Sequence, residues 1–349
     1  MNILKLLLYP FAALYNAVMR LRNHLYDIGH KPSFAFQSKV IAVGNLNVGG
    51  SGKTPMVEYL VNLLADNHPT VTLSRGYKRE TTGFRMAQAG DTAKTIGDEP
   101  LQIFRKYGNR IHVAVGEDRV YAIPNILHEY PETKVLLLDD AMQQRSIRPD
   151  LTILLTTFER PFYRDYLLPF GRLRESRRGA CRADIIVVTK CEGTVDETTT
   201  LEMTSRIGRY AGVDKPVFFS EVAYGEPRPA RGPGSVQRKV ILVTGIANAE
   251  PVKTYCSNRY ELVHHFRFAD HHRYTEEDLL AIDRLCSSQP DPVSIVTTEK
   301  DLVKLDVPEF ATCLDRHNWF SLPIHHVFLK DGAKFDALVL DAINRPSNL

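Results

Sequence analysis

Lys53 and Thr54 close a glycine-rich stretch, Asn47-Val48-Gly49-Gly50-Ser51-Gly52. An apolar, β-branched run at 40–43 precedes it, and Met56, Leu60, Val61, Leu63 and Leu64 follow at helical spacing. The order is strand, loop, helix. Glycines let the backbone curl until successive N–H groups face one anion, and the helix N-terminus adds partial positive charge. An ammonium at Lys53 reaches the β- and γ-phosphates of a nucleotide, and a hydroxyl at Thr54 can hold Mg²⁺. Pro55 stands in the first helical turn, where a missing N–H costs little.

This is the pattern of a P-loop with one departure. Asn47 occupies the place of the first glycine, and asparagine tolerates the left-handed conformation better than most residues. The bland alternative is a glycine turn beside an ordinary lysine. The agreement of strand, loop, Lys-Thr pair and helix weighs against it.

A second signal is Val135-Leu136-Leu137-Leu138-Asp139-Asp140, an apolar run ending in two carboxylates. A strand tip of this kind opposite a P-loop holds Mg²⁺ directly or through water, although Asp is also common where strands turn. Asp98 and Glu99 precede Pro100 at a helix start, which taken alone is a capping signature. The cationic loop 167–175 contains Arg172 and Arg174, with Arg177, Arg178 and Arg182 beyond it; guanidinium forks match phosphate oxygens. A solvated basic surface is the alternative for the last three. Asp270-His271-His272 suits proton transfer better than zinc, because no paired ligand spacing completes a metal set. Thr298-Glu299-Lys300-Asp301 reads as a strand end and a charged helical first turn.

The elements that must position these groups alternate along the chain. Strands are expected at 39–43, 70–74, 110–115, 134–138, 151–155 and 184–189, near-continuously apolar as a parallel sheet covered on both faces requires. Residues 225–238, rich in Pro, Gly and Arg, read as a linker. A second series follows at 239–244, 261–266, 293–298 and 324–328. The expected fold class is α/β: a P-loop NTPase-like parallel sheet with helices on both faces, a smaller C-terminal α/β lobe and an N-terminal hydrophobic helix. The expected divisions are 1–30, 31–224, 225–238 and 239–349.

The first 22 residues are densely apolar, interrupted by Pro10 and Asn16 and flanked by Arg20, Arg22, His24 and Lys31. No small-residue cleavage site precedes the basic residues, so a signal peptide is not expected. A helix lying in a membrane interface fits better than a spanning one; a helix packed on the core is the alternative. The net charge of +3 over 349 residues is too small to argue for nucleic acid. The cysteines at 181, 191, 256, 286 and 313 contain no C-x-x-C pair and read as reduced thiols.

Together these motifs resemble the tetraacyldisaccharide 4′-kinase family of lipid A biosynthesis. The resemblance is carried by 44–55, Ser74-Arg75-Gly76-Tyr77, Gly97-Asp98-Glu99-Pro100, Asp139-Asp140, 167–175, Thr189-Lys190, Gly245-Ile246-Ala247-Asn248, Asp270-His271-His272 and Thr298-Glu299-Lys300-Asp301, in order over nearly the whole chain. One departure is visible. After the two aspartates the family reads Gly-Phe-Gln-His-Arg, whereas here Ala141 replaces the glycine and Gln144 the histidine. The resemblance implies transfer of the γ-phosphoryl of ATP, with Mg²⁺, to the 4′-hydroxyl of an acylated glucosamine disaccharide 1-phosphate. It also implies a single chain working at the cytoplasmic face of the bacterial inner membrane. On the same ground residues 47–54 wrap the phosphates, Asp98 is the catalytic carboxylate with His271 as partner, and Lys53 and Arg174 are the cations at the transferred group. Thr54, Glu99, Asp139 and Asp140 lie on the metal side, unranked. Two other readings compete. A P-loop GTPase or metallochaperone-type switch would use 185–190 before a guanine-specificity motif, but Glu192 stands where that motif wants Asp. A membrane-attached nucleotide-binding scaffold would bind without transfer.

Overall fold

Residues 3–346 are described by the structure, a computed structural model, with side chains from residue 10 onward. The side chains of the apolar run at 3–9 therefore lie outside the described residues, as do residues 1–2 and 347–349. In chain order the fold begins with α1 (Ile3–Asp27), β1 (Lys39–Asn45), α2 (Lys53–Leu64), β2 (Thr70–Ser74), β3 (Arg85–Met86), α3 (Ala93–Ile96), α4 (Asp98–Tyr107), β4 (His112–Val115) and α5 (Arg119–Glu129). It continues with β5 (Val135–Leu138), β6 (Leu151–Thr157), β7 (Ile185–Thr189), α6 (Glu197–Ala211) and β8 (Val217–Tyr224). The rest comprises β9 (Arg228–Pro229), β10 (Lys239–Thr244), α7 (Glu250–Arg259), β11 (Glu261–Arg267), α8 (Glu276–Ser287), β12 (Val293–Thr298), α9 (Glu299–Leu305), α10 (Ala311–Arg316), β13 (Asn318–Leu322), β14 (Ile324–Phe328) and α11 (Gly332–Asn344).

Two sheets result. The larger runs β14-β8-β7-β6-β1-β5-β2-β4-β3 and is parallel except at its two edge strands. The smaller runs β11-β10-β12-β13-β9, with β9 antiparallel at one edge. β1 is buried along its whole length, as the unbroken apolar run predicts for a strand covered on both faces. Its neighbours are β6 and β5. Because β5 sits between β1 and β2, the residues after β5 emerge beside the loop after β1. Ligand sites of open α/β sheets form at such a switch in strand order.

The six strands expected in the first half are present as β1, β2, β4, β5, β6 and β7. Four further strands were not anticipated: β3, β8, β9 and β13. The two-residue β9 lies in the stretch 225–238 read as a linker, where it pairs with β13.

The strand expected at 324–328 forms as β14, but not in the smaller sheet to which its position in the series assigned it. It pairs antiparallel with β8 at the edge of the larger sheet. The reason lies in α11, the helix beyond it. Phe335, Val339 and Ile343 of α11 are buried among Met56, Leu60 and Leu64 of α2, and Phe328 and Phe335 pack edge-to-face with Tyr59 and Phe218. The apolar face of α11 covers the larger sheet, and the chain must cross back to deliver it.

One helix, α1, differs from a simple amphipathic element. Its described side chains split cleanly. Phe11, Leu14, Val18 and Leu21 are exposed along one face. On the other face Tyr15 donates to the Arg174 carbonyl at 2.6 Å, Arg22 to the Gln143 carbonyl at 2.7 Å, and Asn23 to Glu175 at 3.1 Å. Among the described residues no helix is long and apolar enough to cross a membrane.

Phe335 is fully buried, so Phe335→Ala should destabilise the larger lobe by about 3–5 kcal/mol in denaturant unfolding. A cost below about 1 kcal/mol would show that α11 is not seated in that core.

Candidate active site

The loop between β1 and α2 takes positive φ at Gly49 (114°) and Gly52 (83°), and Gly52 caps α2. Asn47 does not adopt a positive φ, so its tolerance of that region is not what the loop uses. Its side chain donates to Asp165 at 2.8 Å instead, and the Val48 N–H donates to the Arg172 carbonyl at 2.7 Å. These bonds hold the first half of the loop against the cationic segment. Ser51 is buried, and a side chain on Gly50 would come within 3.8 Å of Lys190 Nζ. Lys53 and Thr54 open the helix. Lys53 Nζ lies 3.3 Å from Asn45 Oδ1 and 3.5 Å from Asp140.

Asp139 and Asp140 follow β5 as expected, and their environments diverge. Arg174 grips Asp140 with both terminal nitrogens, at 2.8 and 2.7 Å, and also donates to the Asn45 carbonyl. Burial alone would raise the Asp140 carboxyl; the Arg174 hydrogen bonds and the Lys53 charge outweigh it and hold it at about 2. Asp139 is almost fully buried. Burial first, then the neighbouring Glu99 carboxylate, pushes it up to about 7.

The residues fit Mg²⁺ on one structural observation. Asp139 Oδ1 and Ser51 Oγ are buried without a hydrogen-bond partner, and acceptors of this kind suit a hard cation. Among the described residues no group of three or more His, Cys, Asp or Glu could hold a metal.

Asp98 is the first residue of α4, and His271 lies on the turn after β11 with φ 60°. They are 173 positions apart, and His271 Nδ1 meets Asp98 Oδ2 at 2.8 Å. Burial would raise the Asp98 carboxyl; the His271 hydrogen bond and the Lys300 charge reverse this and leave it below its ordinary value. Lys300, on the first turn of α9, lies 3.3 Å from His271 Nε2 and 3.2 Å from Glu99. A ring with its proton on Nδ1 satisfies both contacts, donating to Asp98 and accepting from Lys300. The two clusters share one electrostatic field through Glu99, which bonds Lys300 and acts on Asp139.

Reading residue types alone singled out Arg174 but gave no role to Asn45 or Lys300. Asn45 holds both Lys53 and Arg174. Lys300 is flanked by residues with other tasks: Thr298 and Asp301 close the capping turn, and Glu299 pairs with Lys106 at 3.0 Å. The expectation of a solvated basic surface fits exposed Arg178 but not Arg177 and Arg182, which are half-buried and bonded within the protein. Arg177 binds the Asp165 carbonyl and Arg182 pairs with Glu175. His272 bonds Asp278 and stacks on Phe268, away from any metal set. At the departures from the family pattern, the left-handed residue of the turn is Asp140, φ 51°, so Ala141 needs no glycine conformation. Gln144 donates to Ser146 Oγ at 2.7 Å.

Comparison with known proteins agrees with this geometry. A family model described as tetraacyldisaccharide-1-P 4′-kinase matches residues 4–344. A tetraacyldisaccharide 4′-kinase of Cytophaga hutchinsonii is 39% identical over 352 residues, covering 99% of both chains. One of Flavobacterium johnsoniae is 37% identical over 348 residues, covering 98% of both. A crystal structure of LpxK from Aquifex aeolicus in complex with ATP matches with a TM-score of 0.76 at 27% identity, over 98% of this chain and 100% of that one. With a P-loop, paired strand-tip carboxylates and an ordered match along nearly its full length, the chain belongs to the tetraacyldisaccharide-1-P 4′-kinase family, the ATP-dependent kinases of lipid A biosynthesis.

Proposed function

We propose that this cleft passes the γ-phosphoryl of ATP to the 4′-hydroxyl of an acylated glucosamine disaccharide 1-phosphate, with Asp98 receiving the hydroxyl proton. The carrying observation is the 2.8 Å contact between Asp98 and His271, brought from opposite lobes to the P-loop side of the sheet. As the sugar oxygen bonds to phosphorus, the bond from phosphorus to the β,γ-bridging oxygen breaks, the proton moves to Asp98 and ADP leaves. A carboxylate held ionised by His271 and Lys300 is ready to accept that proton. Lys53 and Arg174 face the charge that spreads over the transferred group. Residues 47–54 cradle the polyphosphate. Thr54 and Asp139 would hold Mg²⁺, which neutralises phosphate charge; Asp140 is committed to Arg174 and Lys53.

The exposed face of α1 is the proposed membrane contact, at the cytoplasmic side of the inner membrane. Phe11, Leu14, Val18 and Leu21 are spaced to lie on one side of a helix, and the opposite side bonds the segments carrying Gln143 and Arg174. That arrangement brings a lipid surface close to the cations of the site, as an acceptor whose acyl chains stay in the bilayer requires. The proposed working unit is a single chain.

Three outcomes test this reading. Asp98→Asn should lower kcat by about 10²–10⁴ with ATP affinity preserved. His271→Ala should lower it less, and the double variant should be little worse than Asp98→Asn. Fully multiplicative losses in acceptor phosphorylation would break the dyad.

The second concerns pH. The Asp139 carboxyl, raised to about 7, carries a proton below that pH, which Mg²⁺ must displace. Mg²⁺ affinity, titrated at fixed ATP, should rise up to about tenfold per pH unit below 7 and level above it. Asp139→Asn should bind Mg²⁺ weakly with no such slope; an unchanged slope would remove Asp139 from the metal site.

Third, changing Phe11, Leu14, Val18 and Leu21 together to Ser should lower sedimentation with lipid vesicles and raise KM for the acceptor roughly tenfold or more. ATP binding should be spared. Undiminished sedimentation would count against α1 as the membrane contact.

A further inference from the structure

His326 on β14 is almost fully buried and is absent from the chemistry described above. Its Nε2 lies 2.9 Å from the Gly52 carbonyl oxygen, and its Nδ1 lies 3.1 Å from Ser220 Oγ. A carbonyl only accepts, so Nε2 carries the proton, and Nδ1 accepts from the serine hydroxyl. Burial, then the charge of Lys190, pulls the imidazole down to about 4 against the opposing bond to Gly52, so the ring stays neutral at working pH. One residue earlier in the loop the pattern repeats. Buried Thr189, on β7, donates Oγ1–H to the Ser51 carbonyl at 2.8 Å.

In a trans peptide the C=O and the following N–H point in opposite directions. The Gly52 carbonyl, held by His326 and also by the Met56 N–H at 3.1 Å, therefore turns the Lys53 N–H outward. Fixing the Ser51 carbonyl does the same for the Gly52 N–H. Both N–H groups belong to the α2 N-terminus, whose donors have no partner within the helix. They are the donors a phosphate would take.

We infer that His326 is a positioning residue for the phosphate cradle: it orients the Lys53 N–H toward the anion by holding the Gly52 carbonyl, in parallel with Thr189 one residue earlier. This rests on the assignment of the loop to the phosphates of ATP. It also accounts for Gly52, because a Cβ there would approach His326 Nε2 to 3.1 Å at a φ of +83°. The strand that returns from the smaller sheet thus has a second consequence besides covering the core. It carries the only described side chain that hydrogen-bonds the Gly52 carbonyl.

Two amides of different reach separate positioning from packing. Gln places its side-chain nitrogen near the position of His Nε2, whereas Asn reaches only to that of Nδ1. His326→Gln should bind MgATP and MgADP within about threefold of the unmodified protein. His326→Asn should lose about tenfold in affinity and raise KM for ATP to match, with kcat at saturating ATP within about threefold and a similar thermal midpoint. Equal affinities for the two variants, or a loss of kcat without a change in KM, would overturn the inference. A ¹⁵N-histidine spectrum of the unmodified protein decides independently of whether the variants fold: a His326 ring protonated on Nδ1 rather than Nε2 would refute it. Because nucleotide affinity is read without a lipid acceptor, a failure of 4′-hydroxyl phosphorylation would strike the proposed reaction and leave this result standing.

Discussion

Like charges crowded at the end of β5 are the constraint on which this site depends. Asp139 and Asp140 are adjacent and lie beside the phosphate loop, so two full negative charges there would repel each other. The solution is asymmetric. Asp140 takes Arg174 and Lys53 and is held strongly acidic, while Asp139 is buried with one oxygen unpartnered and its carboxyl raised. The first carboxylate organises the cations, and the second keeps an oxygen without a protein partner. Asn45 sets the spacing by receiving Lys53 on its side chain and Arg174 on both its side chain and its carbonyl. Gly44, one residue before, has no room for a side chain, because a Cβ would meet the Met142 nitrogen at 2.6 Å. The strand and the turn bearing the aspartates are therefore pressed together at the point where opposite charges must be aligned.

The second lobe supplies what the P-loop lobe lacks. His271 and Lys300 come from the turn after β11 and the start of α9, and they meet Asp98 and Glu99 at the start of α4. Acidic residues at a helix N-terminus are favourable on their own account, so α4 gains from Asp98 and Glu99 before any chemistry is considered. Further pairs, Lys106 with Glu299 and Arg105 with Asp306, run down the same contact between α4 and α9. These pairs set the register of two helices from different lobes. The Lys106–Glu299 pair is shielded from solvent, whereas the exposed Arg105–Asp306 pair contributes little.

The helix α1 obeys the same logic at the other end of the site. Its polar bonds go to backbone carbonyls and side chains next to Arg174 and Gln143, and its apolar residues point away. A helix that only covered a core would bury Phe11, Leu14, Val18 and Leu21; this one keeps them outside.

Local signals settled much in advance. Apolar runs of the right length marked β1, β2, β4, β5, β6 and β7, because a strand buried on both faces has few alternatives to continuous apolarity. Glycines followed by Lys53 and Thr54 marked the phosphate loop, and Asp139 with Asp140 marked the strand tip, because these groups act through positions adjacent in sequence. What depends on distant chain segments was not readable. Nothing near Ile324–Phe328 says that this strand leaves the series before it and pairs with β8; the aromatic contacts among Phe328, Phe335, Tyr59 and Phe218 exist only once the chain has returned. Lys300 looked like a helical first turn, since its partners are about 30 and 200 positions away. His326 sits in a short strand beside an exposed histidine and is distinguished from it only by burial against Gly52 and Ser220. Residue order determined the loop, the helix and the strand-end carboxylates, because short-range backbone geometry and hydrophobic periodicity act along the chain. Tertiary structure alone decided which charges are paired, which carboxyl keeps an unpartnered oxygen and which histidine bonds the Gly52 carbonyl, because those outcomes depend on burial and on partners that only folding brings together.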